Sequence, residues 1–135
     1  MGEHKILAND AATRWMGMEV VAAEQGHAVV RMTVRQEMVN GFGISHGGMV
    51  FTLADTCFAL TCNHPTQDDG TVTVATGVDI NFLAPTRVGD VLEAEGHLLQ
   101  HNGRSGICDI TVRHGDTVVA LFRGRHRTIP APKSS

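Results

Sequence analysis

Tyrosine is absent from this 135-residue chain, tryptophan occurs once, and aromatic residues make up only 4% of it. So little aromatic surface leaves no platform on which the bases of a single-stranded nucleic acid could stack. A basic excess is missing too: the formal net charge is −3, which gives no general pull toward a polyanion. No apolar run reaches the length of about 20 residues that a spanning helix needs. Met1 to Asp10 is polar and mixed in charge, unlike a secretory leader. Met1-Gly2 could open a myristoylation signal, but Ile6 stands where Ser or Thr is required. Three cysteines, Cys57, Cys62 and Cys108, form no CxxC pair, and their odd count fits no disulfide framework. They are expected as buried thiols in a cytoplasmic protein. None of the eight histidines falls in an HExxH pattern, and His97 and His101 share a strand face but lie far apart, so no metal site is expected.

What the chain does have is the stretch Asn40 to Asn63, NGFGISHGGMVFTLADTCFALTCN. A glycine-rich loop ends in His46-Gly47-Gly48, and a helix follows that is apolar on nearly every side. Such a helix is buried rather than superficial. It carries one carboxylate, Asp55. Burying a lone carboxylate is costly unless it is paired or hydrogen-bonded, which makes Asp55 a functional candidate.

Residues 4 to 15 are predicted to form a short helix ending at Gly17, with Ile6, Leu7, Ala11 and Trp15 on one face. The period then changes to two. Strands are predicted over 19–23 and 27–35, joined at Gln25-Gly26, and after the helix over 72–82, 91–100, 107–114 and 117–127. Asn102-Gly103 and Gly115-Asp116 mark tight reversals, and Pro65 stops the central helix. Residues 130–135 read as a loose tail after a single domain of residues 1–129. The expected class is α+β: an antiparallel sheet of about six strands wrapped around one long helix. One sheet covers only one side of such a helix, so a second copy of the chain is expected on the other.

Gly47 and Gly48 sit where the first amide groups of the helix lack intrahelical acceptors and the helix dipole is positive. Glycine there lets a substrate approach the backbone, an arrangement suited to a carbonyl oxygen becoming an oxyanion. An ordinary glycine-rich helix entry remains the alternative. Asp55 lies seven residues beyond Gly48, on nearly the same face and about 10 Å along the axis. One helix cannot bring both groups to one carbonyl carbon, whereas two antiparallel copies can. The spacing therefore argues for a site shared between subunits.

The pattern Asn40, Gly41, Gly43, His46, Gly47, Gly48, Leu53, Asp55 resembles the hot-dog-fold acyl-CoA thioesterases, within them the phenylacetic-acid-degradation (PaaI-like) branch. The resemblance runs from about Trp15 to Ile129 and includes Asp79-Ile80-Asn81-Phe82-Leu83-Ala84-Pro85, Gly89-Asp90 and Leu121-Phe122-Arg123-Gly124. It implies that Gly48, helped by Gly47, donates N–H to the thioester carbonyl, and that Asp55 of the other subunit is base or nucleophile. By the same resemblance Thr56 orients the water or the carboxylate, Asn40 bonds near Asp55, and His46 holds the loop. Some relatives carry a serine on the strand after the helix where this chain has Gly77, with Thr76 adjacent. Coenzyme A brings phosphates. Arg123, Arg125 and Arg127, alternating along the last strand, with Arg87 and Arg104 in turns, are the expected partners for them.

The expectation is thus a homodimer, assembled as a homotetramer, that hydrolyses an aryl-acetyl-CoA without metal or redox cofactor. Two alternatives stay open: an enoyl-CoA hydratase or dehydratase on the same fold, and a non-catalytic acyl-CoA-binding regulatory module. The former wants a His–carboxylate pair and the latter a DNA-reading extension, and neither is evident in the sequence.

Overall fold

The computed structural model describes residues 4–65 and 69–132. Its elements in chain order are a 3-10 turn Lys5–Leu7, α1 Ala11–Trp15, β1 Glu19–Glu24, β2 His27–Thr33, a second 3-10 turn Gln36–Met38, and α2 Gly47–Cys62. The strands β3 Thr71–Phe82, β4 Val91–Asn102, β5 Ser105–His114 and β6 Thr117–Pro130 follow. All six strands form one antiparallel sheet in the order β1-β2-β4-β5-β6-β3. No helix among the described residues is long and apolar enough to cross a membrane.

Two local expectations need correction. The segment 4–15 is not one helix, because Asp10 ends the first turn and starts the second: its carboxylate accepts the Thr13 N–H at 3.0 Å, capping α1. The last strand runs on through Pro130, and Ala131 N–H donates to Gly70 O at 2.8 Å, so the tail begins later than predicted. Residues 133–135 lie outside the described part.

The sheet wraps α2 because its strands alternate. On β2, Ala28, Val30 and Met32 are buried; on β4, Leu92 and Ala94; on β5, Cys108, Ile110 and Val112. Against them α2 presents Val50, Leu53, Ala54, Cys57, Phe58 and Leu60, all buried. The helix comes so close that glycine is required at two contacts. At Gly124 an added Cβ would sit 2.6 Å from Phe58 Cζ, and at Gly96 it would collide with Thr61. Phe58 is fully enclosed and also packs against Phe122 with ring centroids 5.7 Å apart, so its ring has nowhere to go. Gly124→Ala should therefore destabilise the fold by about 1–3 kcal/mol, the usual range for an overpacked core. Urea unfolding measures it; an unchanged midpoint at unchanged slope would mean that the contact is slack.

The C-terminus of α2 is tied down by Asn63. Its Nδ2 donates to Ala59 O and to Thr73 O, both at 2.9 Å, and its Oδ1 accepts Thr73 N–H at 2.9 Å. One amide thus closes the helix and fixes where β3 begins.

Candidate active site

Along α2, Gly48, Thr52, Asp55, Ala59 and Cys62 follow one another at helical spacing, and none of them is fully buried. They form the stripe that the sheet leaves uncovered. Gly48 and Asp55, singled out from the sequence for separate reasons, both lie on it.

The entry to α2 is built without side-chain capping. His46 is the N-cap, yet its ring makes no capping hydrogen bond, and the first turn holds no acidic residue. Two glycines at a helix start also add no helix preference of their own. Backbone pairing outside the helix compensates: His46 N–H donates to Met38 O at 2.9 Å and Ser45 N–H to Thr86 O at 2.8 Å. The Gly47 and Gly48 amides are left at the positive end of the dipole with no intrahelical acceptor. Gly48 is exposed, and an added Cβ there would meet nothing within 4 Å. At Gly47 the Phe82 ring stands over the position, 3.1 Å from where a Cβ would lie. Beside it is a cleft of about 380 Å³ lined by Ile44, Val50, Phe82, Leu83, Pro85 and Thr86 among others. The Ser45 and Thr86 hydroxyls are buried there without a hydrogen-bond partner. Phe82 stands out in the sequence only as part of the motif of residues 79–85, and the two hydroxyls not at all, because no spacing rule connects 82 or 86 with 47.

Asn40 shapes the loop itself. Its Oδ1 accepts from Phe42 N–H at 2.9 Å and Ile44 N–H at 3.2 Å, an Asx-type turn that aims the chain at Gly47. His46 holds the loop through its backbone, while its side chain is exposed.

Asp55 is half-buried, and burial, with a smaller contribution from the charge of Asp10, raises its pKa above the ordinary aspartate value. Thr56, next in the chain, faces inward. Its hydroxyl lies 3.2 Å from that of Thr13 in a buried pair, so α1 is fastened to α2 beside the carboxylate. The structure thus engages the Thr56 hydroxyl with α1. Asp10 and Thr13 are neighbours of the site that no sequence signal marks, since nothing along the chain links them to residue 55.

The arginines fall apart as a group. Arg123 and Arg125 are on the outer face of the sheet, away from α2, and both are paired: Arg123 with Asp109 through two bonds of 2.6 and 2.8 Å, Arg125 with Asp79 at 2.9 Å. Arg125 also lies over Gly77, where an added Cβ would be 2.7 Å from its Nη2, so position 77 faces away from the helix. Arg87 follows Thr86 at the Gly47 end of the fold, whereas Arg104 turns the chain at the far end of β4. One protomer does not gather these side chains at one place. Around Asp55 the described residues bring together no set of three metal-ligating side chains; the one such set, His27, Glu95 and His97, is on the outer face.

Oxyanion-type donors, a half-buried carboxylate of raised pKa and an apolar cleft suit hydrolysis of an activated acyl group. Known proteins agree in sequence and shape. The family model for the Thioesterase superfamily matches residues 42–121. The acyl-coenzyme A thioesterase PaaI of Escherichia coli is 39% identical over 127 residues, 93% of this chain and 88% of the relative. The structure of the E. coli PaaI protein from the phenylacetic acid degradation operon superposes with a TM-score of 0.88 at 37% identity, covering 95% and 91% of the two chains. A Streptococcus mutans protein bound to acetyl CoA superposes with a TM-score of 0.74 at 26% identity, covering 86% of this chain and 91% of its own. The six-stranded sheet around α2 is the hot-dog fold that the motif implied, and the chain belongs to the thioesterase superfamily.

Proposed function

We propose that the chain hydrolyses the thioester of an aryl-acetyl-CoA, of the phenylacetyl or hydroxyphenylacetyl type, to the free acid and CoA. The observation that carries this reading is the uncovered stripe of α2, with the open Gly48 amide at one end and half-buried Asp55 two turns on. The relation to a PaaI thioesterase supports the substrate class.

In this reading the thioester carbonyl oxygen rests on the N–H groups of Gly48 and Gly47. Asp55 of the partner subunit takes a proton from a water as its oxygen attacks the carbonyl carbon. The tetrahedral oxyanion is held by the amides and collapses, breaking the C–S bond, and the departing thiolate takes the proton that Asp55 removed from the water, which restores the carboxylate. Burial helps by raising the basicity of Asp55. A homodimer is the smallest unit that completes such a site, and we propose a homotetramer of two such pairs. Arg87 is the arginine best situated for the CoA phosphates. Arg123, Arg125 and Arg104 could serve only across a subunit boundary, and the first two only by leaving their carboxylates. The reading requires no metal or redox group and sets the reaction in the cytoplasm, where free cysteines remain thiols.

A panel of acyl-CoA thioesters with a free-thiol readout tests the proposal. The kcat/KM should be highest for the aryl-acetyl members and lower for straight-chain acyl groups. Hydration of an enoyl-CoA without thiol release would instead establish the hydratase, and tight binding without release the non-catalytic module.

A further inference from the structure

The outer face of the sheet carries a side-chain cluster that thioester hydrolysis does not use. His27 opens β2 directly across from His97 on β4, and Glu95, two residues before His97, points the same way. One ligand atom from each lies within 4.8 Å of the other two. Glu95 Oε2 is 2.8 Å from His27 Nε2 and 3.6 Å from His97 Nε2. Tetrahedral zinc, with nitrogen and oxygen ligands near 2.0–2.1 Å, sets neighbouring ligand atoms about 3.3 Å apart. The two Glu95 separations fall on either side of that value, while the His27 and His97 nitrogens, within 4.8 Å of each other, must draw closer by side-chain rotation to share one ion.

A second layer is also in place. Glu24 Oε1 lies 3.2 Å from His27 Nδ1. Without an ion, Nε2–H donates to Glu95; a cation displaces that proton and takes the Nε2 lone pair, while Nδ1–H stays donated to Glu24. That is the carboxylate–histidine arrangement that orients metal-bound imidazoles. The platform is stiff, because Gly96, between the two β4 ligands, is pressed against Thr61 of α2. Preorganised ligands on paired strands hold geometry better than ligands on a loop.

We propose that His27, Glu95 and His97 form a binding site for a divalent transition ion of the zinc class, with the remaining coordination position open to water. Two imidazoles and one carboxylate are the donor set such ions favour over calcium or magnesium. Spacing along the chain does not reveal the site, because His97 and His101 share one strand whereas the ligands converge across two.

The test is calorimetric titration of the full-length, chelator-stripped protein with zinc chloride. One ion per chain is expected to bind. His97→Ala and Glu95→Gln should each weaken binding by at least about tenfold, and Glu24→Gln, outside the ligand shell, by about tenfold. His114→Ala, at an exposed histidine 3.6 Å from Asp90, should leave the titration unchanged. Thioester turnover of these variants should match wild type. If His97→Ala and Glu95→Gln bind zinc as wild type does, or His114→Ala loses as much, the cluster is only a hydrogen-bonded surface group and the proposal falls. Should a ligand variant fail to fold, zinc-induced shifts of the His27 and His97 ring nitrogens in the wild-type NMR spectrum decide instead: resonances that stay put overturn the site.

Discussion

Asp55→Asn is expected to lower kcat by at least about 100-fold, the lower end of what a positioned general base contributes. Asparagine keeps the size and the half-buried place of the side chain but accepts no proton. Stability should move the other way or not at all. The raised pKa means that the folded state holds the Asp55 proton more tightly than the unfolded chain. Stability therefore falls as pH rises from the unfolded pKa through the folded one, and the penalty is complete above both. Asparagine carries no such penalty at any pH, so near neutrality the variant should melt at the wild-type temperature or above it. The acid limb of kcat/KM in the wild-type enzyme should lie above the ordinary aspartate value of 3.8 and be missing from the residual activity of the variant. Initial rates and thermal melts on the same preparations measure both effects. Near-normal turnover in Asp55→Asn would move the base elsewhere and take the proposed mechanism with it.

Activity should reappear when two inactive variants are combined. Gly48 and Asp55 of one helix are about 10 Å apart by helical rise, too far to meet one carbonyl. Gly48→Pro removes the proposed oxyanion N–H and is tolerated in a first turn, where no intrahelical bond is lost. The Cβ of the new residue has room, since no atom outside the adjoining helix backbone lies within 4 Å of that position at Gly48. In a dimer pairing Gly48→Pro with Asp55→Asn, one site inherits both lesions and the other inherits none. Random co-assembly makes about half the dimers hybrid, each with one intact site, so specific activity should return to roughly a quarter of wild type. Sedimentation of tagged mixtures verifies the hybrids. Verified hybrids without turnover would exclude the shared site, as would an active monomer.

The elements were legible in the sequence because each is written in a local period. Alternation on β2, β4 and β5 is a two-residue signal that survives any change of neighbours, and Asn102-Gly103 marks its reversal by itself, with Gly103 at φ +64. The helix stood out by being apolar all round, and Asp55 by being its only carboxylate. The loop motif carried the family, since Asn40, Gly43 and His46 do their work within a few residues of one another. Local signals failed where a turn residue interrupts a pattern, as Asp10 does by capping α1 inside what reads as one helix.

What the sequence by itself determined, then, is the set of strands, the buried helix and the residues proposed for its reactive face. Only the tertiary structure decided how these are joined. The strand order sends β3 past β4 and β5 to the far edge beside β6, a choice made by which faces cover α2 and by Asn63 tethering Thr73. It also engaged the Thr56 hydroxyl with Thr13, paired Arg123 and Arg125 with carboxylates on neighbouring strands, and brought His27 to Glu95 and His97. The physical reason is the same in each case. Periodicity fixes the direction a side chain takes from its own backbone, but hydrogen bonds and ion pairs depend on strand register, and register is set by burial summed over the whole sheet.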